Sequence, residues 1–93
     1  MDVTRNDAQH RFEATVDDHI AVLTYRESGG RVTLIHTEVP PELRGRGIAD
    51  ALARAALDDA RRRSLYVRPL CPFVQAFMKR HPEYADLASP AAP

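Results

Sequence analysis

The apolar pattern of the chain first changes from a strand to a helical period between Val39 and Ile48, and that change restricts the fold more than any other feature. Before it the pattern is strand-like. Phe12, Ala14 and Val16 alternate with polar neighbours, Asp17-Asp18 marks a turn, and Ile20 to Tyr25 is rich in β-formers. "ESGG" at 27–30 is a glycine hairpin signal. In the run from Val32 to Val39, Val32 and Leu34 share one face and Ile35 and Val39 the other, which predicts a central strand covered on both sides. The opening third therefore reads as an antiparallel meander.

After the change the period is helical, from Ile48 to about Arg63. Ile48, Ala51, Leu52 and Ala55 form one stripe, and Ala49, Ala53, Leu57 and Ala60 a second. Asp50/Arg54 and Asp58/Arg62 are i, i+4 pairs in the favourable orientation. A short run, Leu65-Tyr66-Val67, ends at Pro69 and predicts a fourth strand. A helix separates it from Val32–Val39, so the two pair in parallel through a right-handed crossover. Pro72 to Arg80 predicts a second helix with Phe73, Val74, Phe77 and Met78 inward, ended by Pro82. The expected class is α/β, a mixed sheet in order β-β-β-α-β-α with the main helix on one face. Residues 1–9 read as a flexible N-terminus, 10–87 as the domain and 88–93 as a disordered tail.

A chain of 93 residues is one small domain. Its formal net charge of zero argues against coating nucleic acid or an anionic membrane, both of which need excess cations. No apolar run approaches the roughly 20 residues of a membrane span, and no signal-peptide pattern is present, so the expected compartment is the cytosol. A single cysteine allows no internal disulfide and no cysteine-based metal site. The histidines at 10, 19, 36 and 81 form no helical ligand pair, so no metal is expected.

The change of period falls on "VPPELRGRGIAD", residues 39–50. A helix N-terminus presents unpaired N–H groups and partial positive charge; glycine admits close approach, and arginine binds phosphate oxygens in pairs. Together these predict an anion site suited to phosphate. A P-loop would need Lys-Ser/Thr, and the dinucleotide fingerprint a third glycine where Asp50 stands.

Arg44-Gly45-Arg46-Gly47-Ile48-Ala49 instead resembles Q/R-x-x-G-x-G/A, the pyrophosphate loop of the GNAT superfamily of N-acetyltransferases. Val39, Pro41, Arg44, Gly45 and Gly47 match its strand-and-loop pattern, and Val67-Arg68-Pro69 its later strand end. "CPF" and "HPEY" followed by Asp86-Leu87 look like a short single-domain branch, the YjdJ-type proteins. The resemblance runs from about His10 to Leu87. It implies acetyl-coenzyme A as cosubstrate, held by Arg44 to Ala49, with the pantetheine arm along Thr37 to Val39 and against Phe73. An N–H near Val39 would polarise the thioester carbonyl.

Cys71 sits between two prolines, and Pro72 fits the first helical position, which places the cysteine at the N-cap. The helix end and nearby Arg68 would favour thiolate. The superfamily commonly has asparagine here and a catalytic tyrosine seven residues later; this chain has Met78 at the second position. Cys71 is then the obvious reactive group, as acetyl carrier or as proton donor to the leaving sulfur, against the plainer reading of a gap-filling core residue. His36 and Glu38, about 7 Å apart by strand geometry, are candidate bases for the acceptor amine. Arg61-Arg62-Arg63 reads as a cationic helix end, with a grip on a coenzyme phosphate as the alternative. The acceptor amine, on a protein, peptide or small molecule, would enter a groove left open or completed by a second subunit, the protein being a monomer or a dimer. A non-catalytic acyl-coenzyme A sensor is the competing reading.

Overall fold

The computed structural model describes residues 2–88, in which five strands and two helices alternate with short 3-10 turns. The strands are β1 (Val3–Asn6), β2 (Arg11–Val16), β3 (His19–Ser28), β4 (Arg31–Glu38) and β5 (Tyr66–Pro69), and they lie in the sheet in that order. Pairing is antiparallel through β4 and parallel between β4 and β5, as expected for a meander followed by a β-α-β unit. Two hairpins set this arrangement. Asp17 and Asp18 take φ of 51° and 65°, and Gly29 and Gly30 take 58° and 77°. Two consecutive left-handed residues give a turn whose twist matches that of the paired strands, and glycine and aspartate tolerate that conformation.

Within the stretch expected to be flexible, Val3–Asn6 form the edge strand β1, paired with Arg11–Ala14. Its anchor lies 54 residues away, where Arg5 Nη1 donates to Asp59 Oδ2 at 3.0 Å, a contact no local pattern shows. At the other end Ala88 bridges to Val67, and the remainder of the expected tail, 89–93, lies outside the described residues.

Helix α1 (Ile48–Arg62) packs on one face of the sheet through Ile48, Leu52, Ala53, Ala56, Leu57 and Ala60. The two expected stripes are one face, with Ala49, Ala51 and Ala55 half-buried at its flanks. Helix α2 (Pro72–Arg80) and the 3-10 turn Pro82–Leu87 join the same core through Val74, Phe77, Tyr84 and Leu87. That turn redirects the surface charges of α1. Arg54 reaches the Tyr84 hydroxyl at 3.2 Å rather than Asp50, Asp58 accepts from the same hydroxyl at 2.6 Å, and Arg62 pairs with Asp59 at 2.8 Å. The expected i, i+4 pairs yield to Tyr84 in the case of Arg54 and Asp58, and to an i, i+3 partner in the case of Arg62.

All the helices share one face, so β4 is not covered on both sides: Ile35 is 39% exposed and Ile20 on β3 47%. A bulge explains the position of Ile35. The β3–β4 register passes from Thr24↔His36 to Tyr25↔Leu34, leaving Ile35 as an extra residue. Directly opposed residues share a face, and Tyr25 and Leu23 are buried, so Leu34 and Thr37 both point toward the helices. His36 and Glu38 point to the bare face.

Tyr25 donates its hydroxyl to Asp7 Oδ1 at 2.5 Å. Burial and this carboxylate push the phenol up to about 12 from 10.0. The stability this contributes is present below the unfolded value of 10.0 and is lost as pH rises through the folded value of about 12. The urea midpoint should therefore fall between those limits, and fall less in Tyr25→Phe.

Candidate active site

Strands β4 and β5 part at Leu34. Leu34↔Pro69 is their last pair, and the Leu34 carbonyl accepts the N–H groups of both Leu70 and Cys71, each at 3.0 Å. The β5 side donates to β4 through Tyr66 and Leu70, so the next donor in step would be residue 72, and Pro72 has no N–H and opens α2 instead. From Ile35 onward the β4 edge has no strand beside it among the described residues. Cys71 stands at the apex of this split as N-cap of α2, buried at 3% exposure, with Sγ 3.3 Å from Thr37 Oγ1. The bulge is what turns Thr37 toward it.

The free edge leads into the turn before α1. Pro40 and Pro41 carry no N–H, so Val39 has the only backbone donor between Glu38 and Glu42. Leu43, 1% exposed, pins the 3-10 turn Pro41–Leu43 to the core. Arg44 Nε donates to the Val39 carbonyl at 3.4 Å, leaving its two terminal nitrogens without a partner among the described residues. Gly45 and Gly47 have φ of 82° and 75°. A methyl group on either would meet nothing within 4 Å, so backbone conformation, not crowding, calls for glycine, and the space above them is open. The first i→i−4 bond of α1 runs from Ala51 to Gly47, and no side chain caps the helix. The N–H groups of Ile48, Ala49 and Asp50 precede that bond and face a cleft of about 240 Å³ lined by Val39, Arg44, Gly45, Gly47, Ala49 and Phe73. A larger groove, about 530 Å³, continues from there along 36–39.

The fold thus gathers Thr37, Val39, Arg44, Gly45, Gly47, Ile48, Ala49 and Phe73 around one groove, with Cys71 buried behind Thr37 and not in the groove wall. Other expected residues are placed differently. Arg46 turns away to Asp17 at 3.1 Å. His36 Nε2 lies 3.9 Å from Glu38 Oε2, both side chains exposed at the groove rim on the opposite face from the thiol. Arg68 pairs in register with Thr33 and projects to the bare face, away from Cys71. Arg61, Arg62 and Arg63 end α1, roughly 22 Å from the glycine turn by helix rise. They pair with Asp86, Asp59 and Glu27, which leaves the turn to Arg44. Met78 packs against the core. Sequence reading missed the Leu34 carbonyl and Leu43, although Pro72, with no N–H, is a local sign that the ladder stops there.

A five-stranded mixed sheet, split between its parallel strands, with a glycine-arginine turn leading into the main helix, is a GCN5-like fold. The chain belongs to the GCN5-related N-acetyl-transferase family, which matches residues 11–87. Protein NATD1 of Bos taurus is 44% identical over 73 residues, covering 75% of this chain and 65% of that protein. Protein NATD1 of Homo sapiens is 42% identical over 73 residues, again 75% of this chain and 65% of the relative. The match therefore spans a little under two thirds of these relatives. The NMR solution structure of a GCN5-like protein from Staphylococcus aureus superposes with a TM-score of 0.74, covering 98% of this chain and 90% of that one at 23% identity, which shows the shared fold.

Gly47 holds a left-handed conformation with open space around it, so Gly47→Ala should fold but lose about 1 kcal/mol from backbone strain, read as a lowered urea midpoint.

Proposed function

We propose that the protein transfers an acetyl group from acetyl-coenzyme A to an amine. The observation that carries this reading is the continuous path from the unpaired β4 edge to the uncapped start of α1. A pantetheine arm has amides that pair with a free strand edge. A pyrophosphate suits the N–H groups of Ile48, Ala49 and Asp50, the open space over Gly45 and Gly47, and the free nitrogens of Arg44. Phe73 and Ala49 supply the apolar wall of the same groove.

In this reading the acetyl group sits at the split, where the Val39 N–H is the available donor for the thioester oxygen. The amine adds to the carbonyl carbon, the carbon–sulfur bond breaks, and the coenzyme sulfur leaves needing a proton. Cys71 lies at the apex, and its polar partner is a hydroxyl, Thr37, which does not draw off a proton as an attacking thiolate would require. Its role here is proton donor to the departing sulfur, with Thr37 orienting the thiol. Glu38 and His36, exposed at the groove rim, are placed to take the proton the amine releases. The cytosol is the compartment that goes with this proposal.

The burial of Cys71 and the methionine at 78 favour a second reading, an acyl-coenzyme A sensor without catalysis.

Calorimetric titration with acetyl-coenzyme A, beside dephospho-coenzyme A and ADP, tests both readings. Binding should weaken at least about tenfold in Arg44→Ala, as expected for loss of a charge-assisted contact, and less in Arg46→Ala. Cys71→Ala should keep binding and lose transfer to a panel of amines. A wild type that binds but transfers to no amine would favour the sensor. Absence of binding by folded protein would remove both.

A further inference from the structure

The bare face of the sheet carries a group of unpaired arginines next to the split. In register, Arg26 on β3, Thr33 on β4 and Arg68 on β5 form one cross-strand row, and Ser28, Arg31 and Tyr66 the next. Strand spacing puts the Arg26 and Arg68 backbones roughly 10 Å apart, with Arg31 one pleat further along between them. Arg26, Arg68 and Tyr66 are exposed, Tyr66 at 50%. None of the three arginines has an ion pair or a side-chain hydrogen bond among the described residues, and their neighbours in the two rows are Thr33, Ser28 and Tyr66.

Apart from Arg44 at the glycine turn and Lys79, the other cations among the described residues are paired closely, as Arg61 with Asp86 at 2.9 Å, Arg63 with Glu27 at 2.7 Å and Arg46 with Asp17 at 3.1 Å. The carboxylates of the bare face lie on other rows. Glu13 is held by Arg11 and Asn6, and Glu38 sits beside His36 at the far end of β4. Three like charges left together in a protein of zero net charge repel one another until anions reach them.

Position gives this cluster its meaning. Thr33 and Arg68 are the pair immediately before Leu34↔Pro69, the last pair before the strands part. Exposed Ile35 and Leu70 flank that point, at 39% and 47%. We infer that this face binds the acceptor, and that the acceptor is an acidic peptide segment: carboxylates on Arg26, Arg31 and Arg68, an aliphatic stretch against Ile35 and Leu70, and the amine at the split within reach of Glu38. The inference rests on the proposed transfer and names its substrate class. Strand geometry spaces the first carboxylate about three residues from the amine. The cluster is too small for a nucleic acid surface, since protein–DNA contacts commonly neutralise on the order of 6–10 phosphates.

The test is binding without coenzyme, by fluorescence anisotropy. One labelled peptide carries a lysine followed three residues on by Glu-Glu-Asp; its control carries Gln-Gln-Asn. Wild type should bind the acidic peptide at least about tenfold more tightly, consistent with charge-assisted pairing, and the preference should disappear in Arg26→Gln/Arg68→Gln. Both residues are exposed, so the fold is expected to tolerate the change. Arg26→Glu/Arg68→Glu should reverse the preference toward a lysine-rich peptide. Equal binding of the two peptides, no binding of either, a preference unchanged in the variants, or a single-stranded oligonucleotide that outcompetes the acidic peptide would each overturn the inference. Coenzyme titration is a separate experiment, so failure of the acetyl transfer reading would appear there and not here.

Discussion

Leu34 offers one carbonyl to two N–H groups, those of Leu70 and Cys71, and the groove exists because of that sharing. A parallel ladder that continued would pair β5 with β4 up to Glu38 and close the edge. Proline at 72 removes the next donor in step, and the shared carbonyl turns the chain into α2, which carries Cys71 to the apex and Phe73 to the wall. The bulge at Ile35 acts at the same point on the other strand. It moves Thr37 to the thiol side and His36 and Glu38 to the bare side.

The far end of α1 holds this geometry in place. Asp59 is the buried charged residue among those described, and it receives Arg5 from β1 at 3.0 Å, Arg62 at 2.8 Å and Arg63 at 3.3 Å, while Arg63 also grips Glu27 on β3. Of the three, the part-buried Arg5 and Arg63 contacts carry most of the stabilisation, and Arg62, largely exposed to solvent, adds little. Helix α1 is thus tied to both sides of the sheet at its C-terminus. Its N-terminus can be left uncapped, open to a ligand, without the helix depending on that end for its register.

What was legible in the chain was local. The hairpins declared themselves because Gly29-Gly30 and Asp17-Asp18 suit a left-handed pair, and the turn before α1 did because Gly45, Gly47 and Arg44 lie within four residues of each other. The bulge carried no such mark. Counting alternate residues forward from Val32 puts His36 on the covered face and Thr37 on the other; the extra residue at 35 reverses both. β1 was illegible because its anchor is Asp59, and the surface pairs of α1 were misread because Tyr84 and Asp86 compete for them from a turn that sequence alone does not bring near. Most of these misreadings have a partner more than twenty residues away; the exceptions are Arg62, which turns to Asp59 three residues back, and the bulge, which is a register effect of pairing itself.

Under the proposed reading, the same misplaced parity explains how so short a chain would handle two substrates. One sheet divides the work: the helix side, with its free edge and helix start, suits a long anionic coenzyme, and the bare side, with its arginines, suits an acidic acceptor. The two meet only where β4 and β5 part, which is also where the thiol lies. A cover over the bare face would hide Arg26 and Arg68 and block that approach. The exposure of Ile20, Ile35 and Leu70, costly for a small core, is then the condition for an acceptor to reach the split.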